Sequence, residues 1–257
     1  MSDEGLAISV VAPCHNEVEN VEPLVEEVRK VLEGIGRTWE IVLVDDGSTD
    51  GTWEAIGRCA ARVPGVRGVR LARRSGQSAA LMAALRAARA PTIVTMDADL
   101  QADPRDIPKL LAALEGADCA TGDRTAARRA ADGRLRFLSS GIGNRFRDAL
   151  TGETVSDSAC NFRAYRRECV ALLRPFNGFH RFIPTLLRME GLRVAEVPVA
   201  ARPRLRGLSK YGVWNRLFRG LADVMGVRWL KSRHAGYEVA ETTGAAPGGG
   251  PDRPAGR

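Results

Sequence analysis

Neither a paired-cysteine motif nor a long apolar run occurs in this 257-residue chain. Its five cysteines (Cys14, Cys59, Cys119, Cys160 and Cys169) are odd in number and never spaced as CxxC. That argues against a disulfide framework or a structural zinc site and fits a reducing compartment. No apolar stretch approaches the ~20 residues needed to cross a bilayer. The opening MSDEGLAISVVAPCHNE is acidic and lacks a basic n-region, so it does not read as a secretory signal. A cytoplasmic location is expected. Helix-turn-helix, zinc-finger and RNP patterns are missing too, so the net charge of +7 does not by itself indicate nucleic acid. An Arg-, Ala- and Gly-rich composition is the plainer source of that charge. The hydrophobic fraction of 44% excludes a fibrous or wholly disordered chain.

What is present is a β–α alternation. Short apolar runs at Ala7–Ala12, Trp39–Val44, Val66–Leu71, Thr92–Met96 and Ala117–Gly122 read as strands. Between them Val21–Leu32, Thr52–Ala61, Ser78–Ala88 and Ile107–Leu114 read as helices. Such a pattern implies an α/β fold with a mostly parallel sheet covered on both faces. Ligands of such sheets bind beyond the carboxyl ends of the strands.

The second half is less regular. Arg124–Arg136 reads as a basic loop, Leu135–Leu150 as a helix, Asn161–Tyr165 as extended, His180–Met189 as a helix and Val194–Ala200 as a strand. Val213–Lys231 is an amphipathic C-terminal helix, with Trp214, Leu217, Phe218, Leu221 and Met225 on one face. One catalytic domain over 1–235 is expected, split near residue 123, with a disordered Gly/Pro-rich tail over 236–257.

The sharpest chemical feature is Asp97-Ala98-Asp99 after the fourth apolar run. Two carboxylates one residue apart can converge on Mg²⁺ or Mn²⁺, which take oxygen ligands and share them with substrate phosphates. A solvated acidic loop is the bland reading. Company favours the metal: Asn16 and Glu17 follow the first run, and Asp45 and Asp46 end the second. Clustered like charges repel unless a cation or hydrogen-bond donors hold them. Asp45-Asp46-Gly47-Ser48 also suits a turn capping the helix at Thr52.

PCHNEVENV, VLVDDGSTDGT, RRSGQSAALMAALRAA and MDADLQADP stand in the order and spacing of family 2 glycosyltransferases with the GT-A fold, which the chain resembles. SDSACNFRAYRRE, GFHRFIPTLLRMEGLRVAEVPV and RPRLRGLSKYGVWNRLFRGLADV are similar to the polyprenyl-phosphate branch that includes dolichyl-phosphate mannose synthase. The resemblance covers roughly Ile8 to Arg233. It implies a Rossmann-like three-layer fold, and it implies roles for individual residues. Pro13, His15, Glu17, Val44 and Asp46 match nucleotide-binding positions, with Asp45 adjacent. Asp97, Ala98, Asp99 and Gln101 match the metal and diphosphate site. Arg124 and Arg136 match basic residues that meet phosphate. Arg204 and Lys210 match a late segment that closes on the substrates, and Asp157 matches an acceptor-side acid. His15 replaces a more usual Tyr, and Asn161 stands where small residues are common.

The implied reaction moves a sugar from a GDP- or UDP-sugar to a lipid phosphate, with inversion. Asp99, Arg204 and Lys210 would stabilise the leaving diphosphate. A lipid phosphate has a second pKa near 6, so it scarcely needs a base, and Asp157 is as readily an orienting group. A soluble transferase acting on a hydroxyl would need a true base there. A phosphoacceptor receiver domain is about half this length, and a catalytically dead sugar binder would not need the intact DADLQ segment. His180-Arg181 reads as a surface pair without a catalytic role. Peripheral contact with an anionic membrane is expected for the C-terminal helix.

Overall fold

The computed structural model describes residues 5–127, 155–202 and 213–233, the side chains of 213–221 excepted. The expected helix over 135–150, the C-terminal tail, Arg128, Arg129, Arg134, Arg136, Arg204 and Lys210 lie outside these residues. So do the side chains of Trp214, Leu217, Phe218 and Leu221.

The apolar runs become strands β1 (Ile8–Cys14), β2 (Trp39–Asp45), β3 (Val66–Arg70), β4 (Thr92–Thr95) and β5 (Cys119–Asp123). Helices α1 (Val18–Ile35), α2 (Thr52–Arg62), α3 (Gln77–Ala87) and α4 (Ile107–Ala113) connect them. Then come β6 (Arg163–Arg166), α5 (Arg167–Leu172), α6 (Ile183–Met189), β7 (Val194–Pro198) and α7 (Val213–Ser232).

The seven strands form one sheet in the order β3-β2-β1-β4-β6-β5-β7. All neighbours are parallel except β6, which runs antiparallel to both β4 and β5. The chain leaves β1 toward β2 and β3, then crosses back to place β4 on the other side of β1. That reversal makes β1/β4 the switch point, where a crevice opens at the strands' carboxyl ends.

Because side chains alternate across a strand, each face acquires its own core. Val10, Ala12, Leu43 and Val94 pack with Val25, Val28, Ile56 and Leu110 of α1, α2 and α4. Val11, Val42, Val44 and Ile93 pack with Leu81, Leu85, Leu187 and Val227 of α3, α6 and α7. The fold is therefore the expected three layers. Each fully buried Leu, Ile or Val contributes roughly 1.5–3 kcal/mol.

In α7 the buried positions are Val224 and Val227, while Met225 is 52% and Trp229 63% exposed. Of the five residues expected on the apolar face, only Met225 has a described side chain, and it is exposed; Val224 and Val227 are buried instead, beside the Asp223–Arg181 ion pair of 3.0 Å. No helix among the described residues is long and apolar enough to cross a membrane.

Candidate active site

The loops after β1 and β2 are laced together. Asn16, with φ 55°, donates its backbone N–H to Ser48 Oγ at 2.9 Å and accepts the Thr49 N–H on Oδ1 at 2.9 Å. Glu17 N–H donates to Thr52 Oγ1 (2.9 Å), and the Glu17 carboxylate accepts from Asn20 Nδ2 (2.6 Å). His15 Nδ1 lies 3.0 Å from the Asp46 carbonyl oxygen. Asp45 accepts the Ser48 N–H at 3.1 Å and so closes the expected turn, but the DDGS segment does not cap α2: Gly51 is its N-cap, and the Thr52 N–H donates to Asp50 Oδ1 at 3.1 Å. The other Asp45 oxygen lies 3.3 Å from Arg70 Nε.

Asp46 grips the next loop with both oxygens, which accept the N–H groups of Ser75 (2.6 Å) and Gly76 (2.8 Å). Gly47 lets that loop approach. A Cβ there would sit 2.5 Å from the Arg74 nitrogen, and its φ is 63°. Val44 is fully buried in the core, leaving only its backbone to face a ligand.

Asp97, Asp99, Gln101 and Arg124 line one pocket, together with Ala102, Cys160, Asn161 and Phe162. Burial, and then the charge of Asp99, pushes the Asp97 carboxyl above the usual carboxylate range. Asp97 Oδ1 accepts from Asn161 Nδ2 at 3.1 Å and Gln77 Nε2 at 3.4 Å. Asp99 Oδ1 accepts the Gln101 N–H at 3.2 Å across Leu100, whose φ of 60° is unusual for a buried branched residue. Such strain persists where the surroundings over-determine it.

Gln101 is held from beyond: its carbonyl accepts the Arg202 N–H at 2.9 Å, and Ala102 pairs with Ala201. Arg202 itself is clamped between Asp103 (2.7 Å) and Glu27 (2.6 Å). Burial alone would raise the Asp103 carboxyl, but Arg105 and Arg202 bring it down to about 2.

The structure therefore brings Asp97, Asp99, Gln101 and Arg124 together. It places His15, Glu17 and Asp46 on the adjoining β1 and β2 ends. Gln77, not singled out from the sequence, joins the two groups, since its neighbour Gly76 is held by Asp46 and its own amide reaches Asp97. Asp157 and Arg124 do not stand as separate acceptor-side groups. They form a buried pair, Arg124 Nε to Asp157 Oδ2 at 2.6 Å and Nη2 to Oδ1 at 3.1 Å.

His180 is not a surface residue. Ser78 Oγ accepts the Gly178 N–H at 2.8 Å and sits 2.9 Å from His180 Nδ1, so its hydroxyl proton is free to point at the ring. Burial, with Arg181 and Arg163 nearby, holds the imidazole down to about 4.

Among the described residues no group of three or more His, Cys, Asp or Glu side chains could hold a metal alone. Two converging carboxylates and an amide suit a hard cation that completes its shell with phosphate oxygens and water.

Residues 9–173 match the family model "Glycosyl transferase family 2". The chain is 36% identical to the dodecaprenyl-phosphate galacturonate synthase of Rhizobium johnstonii, over 88% of this chain and 68% of that protein. It is 37% identical to the undecaprenyl-phosphate 4-deoxy-4-formamido-L-arabinose transferase of Aeromonas hydrophila, over 80% of this chain and 63% of that protein. The chain thus spans about two thirds of the length of these curated relatives. Among solved structures, the glucosyl-3-phosphoglycerate synthase of Mycobacterium tuberculosis with Mn²⁺, UDP and phosphoglyceric acid superposes with a TM-score of 0.65. That likeness is at 22% identity, over 90% of this chain and 80% of that one. A mannosyltransferase of Pyrobaculum calidifontis with GDP-Man and Mn²⁺ gives 0.58 at 22% identity, over 90% and 65%. These two establish the fold.

Proposed function

The chain belongs to glycosyl transferase family 2, and from that membership we propose that it transfers a sugar from a nucleotide-sugar donor to the phosphate of a polyprenyl lipid. The relatives named for dodecaprenyl- and undecaprenyl-phosphate support the acceptor class. One observation in the chain itself carries the reading: Asp97 and Asp99 converge on one pocket just beyond β4, at the sheet's switch point.

In this reading His15, Glu17, Asp46 and the Pro13–Val44 backbone frame the nucleotide. Asp97, Asp99 and Gln101 hold Mg²⁺ or Mn²⁺. When bound, the cation neutralises the charge that develops on the leaving nucleoside diphosphate. An oxygen of the lipid phosphate attacks the anomeric carbon as the bond to the donor diphosphate breaks, and the diphosphate leaves with the bonding electrons. Arg136, Arg204 and Lys210 are assigned to the phosphates on the same terms. Residues 1–235 act as one catalytic unit, with the donor half over 7–123 and the acceptor half over 124–235.

The Arg124–Asp157 pair favours a phosphate acceptor over a sugar hydroxyl. Both Asp157 oxygens accept from the guanidinium, which makes this carboxylate a poor proton acceptor. A phosphate nucleophile is already ionised at neutral pH.

The acceptor's tail stays in lipid, and the exposed stripe of α7 supplies the contact. Met225 and Trp229 stand one turn apart there, with exposed Arg228 and Arg233 beside them.

The test is a panel of UDP- and GDP-sugars offered with polyprenyl phosphate and Mn²⁺ or Mg²⁺. One donor is expected to label the lipid in a metal-dependent way. Labelling of soluble hydroxyl acceptors alone would overturn the lipid assignment.

A further inference from the structure

Behind the two acids stands an arginine that makes no ion pair with any described carboxylate. Arg163 is fully buried in β6. Its hydrogen bonds to described residues go to neutral oxygens: Nε to Thr121 Oγ1 at 3.1 Å, Nη2 to the Ser158 carbonyl at 3.1 Å and Nη1 to the His180 carbonyl at 2.9 Å. The same Nη1 reaches Asn161 Oδ1 at 3.3 Å. Burying a guanidinium among neutral hydrogen-bond partners costs more than burying an apolar side chain of similar volume. A fold that merely needed filling would not place one here.

The guanidinium has five donors and no acceptor. The Asn161 atom that faces it must therefore be the carbonyl oxygen, which turns the amide nitrogen toward Asp97 Oδ1, 3.1 Å away. The Asn161 main chain is fixed as well, because Thr95 Oγ1 donates to its carbonyl at 2.7 Å. Strand pairing explains the meeting. Thr95 stands opposite Arg163 in the antiparallel β4–β6 ladder, and two residues further along the same register Asn161 comes opposite Asp97.

We propose that Arg163 is a positioning residue for the metal site: through Asn161 it fixes the orientation of Asp97, so that this carboxylate is presented to a cation shared with Asp99. The proposal rests on the reading of Asp97 and Asp99 as cation ligands. It adds the residues that hold one of them in place.

Mn²⁺ binding to the intact chain, followed by electron paramagnetic resonance without donor or acceptor, tests it. Removing a group that orients a metal ligand typically weakens affinity by about 10- to 100-fold. Asn161→Ala is expected to bind Mn²⁺ at least ~10-fold more weakly while its circular dichroism remains that of the folded protein. Arg163→Lys keeps the charge and loses the planar fork, so it should show a comparable loss. The double variant should lose no more than the worse single variant, because both changes act through one hydrogen bond. Unchanged affinity in Asn161→Ala, or additive losses in the double variant, would overturn the relay. If Arg163→Lys does not fold, the affinity of Asn161→Ala decides alone. Absence of Mn²⁺ binding by the unmodified chain would instead sink the metal reading, and this inference with it.

Discussion

Arg124 and Asp157 form a two-pronged ion pair inside the protein, 33 residues apart in sequence, with contacts of 2.6 and 3.1 Å. Both are nearly out of contact with solvent, at 8% and 6% exposure. Arg124, expected to meet a phosphate, and Asp157, expected on the acceptor side, are held by each other, while Arg124 also lines the pocket with Asp97 and Asp99. The pair joins the end of β5 to the segment that leads into β6, and Arg124 is the member that lines the pocket.

Breaking such a pair from one side leaves a buried charge uncompensated, which costs about 3–5 kcal/mol. Asp157→Asn is expected to lower the urea midpoint accordingly. Replacing both residues, as Arg124→Met with Asp157→Leu, should destabilise less than Asp157→Asn does. Equilibrium unfolding of the three variants checks the order, and a double variant worse than the single would contradict it.

Asp97 carries a different liability. Its carboxyl is raised because burial and the charge of Asp99 both oppose ionisation, so without a cation the two acids destabilise the fold at neutral pH. Asp99→Asn should therefore be more stable than the unmodified chain in metal-free buffer. Millimolar Mn²⁺ should reverse the ranking, raising Tm of the unmodified chain and leaving the variant unmoved. Metal-dependent transfer should be lost in the variant. An equal Mn²⁺ response in both proteins would count against Asp99 as a ligand.

His180 contributes one distinct slope to stability against pH. Its folded pKa of about 4 lies below the ordinary 6.5, so between those values the unfolded chain binds a proton that the folded chain refuses. Stability is thus full above pH 6.5, falls as the pH drops toward 4, and levels off below that. Allowing for the ring's partial exposure, the loss is roughly 2 kcal/mol. His180→Asn keeps an acceptor near Ser78 and does not titrate, so its thermal midpoint should lack this slope. Asp103, held at about 2, acts in a lower window: its clamp on Arg202 is present above pH 3.8 and weakens as the pH falls toward 2.

Much of this was legible in the sequence, for a physical reason. β1, β2 and β4 are continuous apolar runs cut off by polar residues, so both the strands and the acids at their ends stand out. β6 did not stand out as the one antiparallel member. Its four residues, RAYR, mix two arginines with a buried tyrosine, and nothing local states which strand they pair with. Asn161 consequently looked like a departure from a family pattern, when it is the residue that meets Asp97 across 64 positions. Asp46 shows the opposite limit. An acid at a strand end reads as a ligand group, yet its oxygens already take two backbone N–H groups. A polar pair at a helix start is ordinarily solvated, yet His180 is brought under cover by Ser78, which also holds Gly178, and by Arg163, which donates to its carbonyl.

The exposed stripe of α7 gives the last prediction. Val224 and Val227 are anchored in the core, and Asp223 is tied to Arg181, so the helix cannot roll to hide its other side. That side carries Trp229 at 63% and Met225 at 52% exposure, the large apolar side chains most exposed among the described residues. Exposed Arg228 and Arg233 lie beside them, the arrangement that suits an anionic headgroup layer with an aromatic ring at its boundary. Each basic residue near such a surface is worth about 1 kcal/mol, and the term is screened by salt. Burying a large apolar side chain adds roughly 1.5–3 kcal/mol that salt does not screen. Trp229→Ala should therefore weaken flotation with anionic vesicles by about 10-fold or more at any ionic strength. Arg228→Glu should weaken it at low salt and much less in 0.5 M NaCl, a concentration at which the Debye length is roughly 4 Å. If both variants float like the unmodified chain, α7 is not the face that meets the membrane, and the lipid acceptor must reach the pocket from another side.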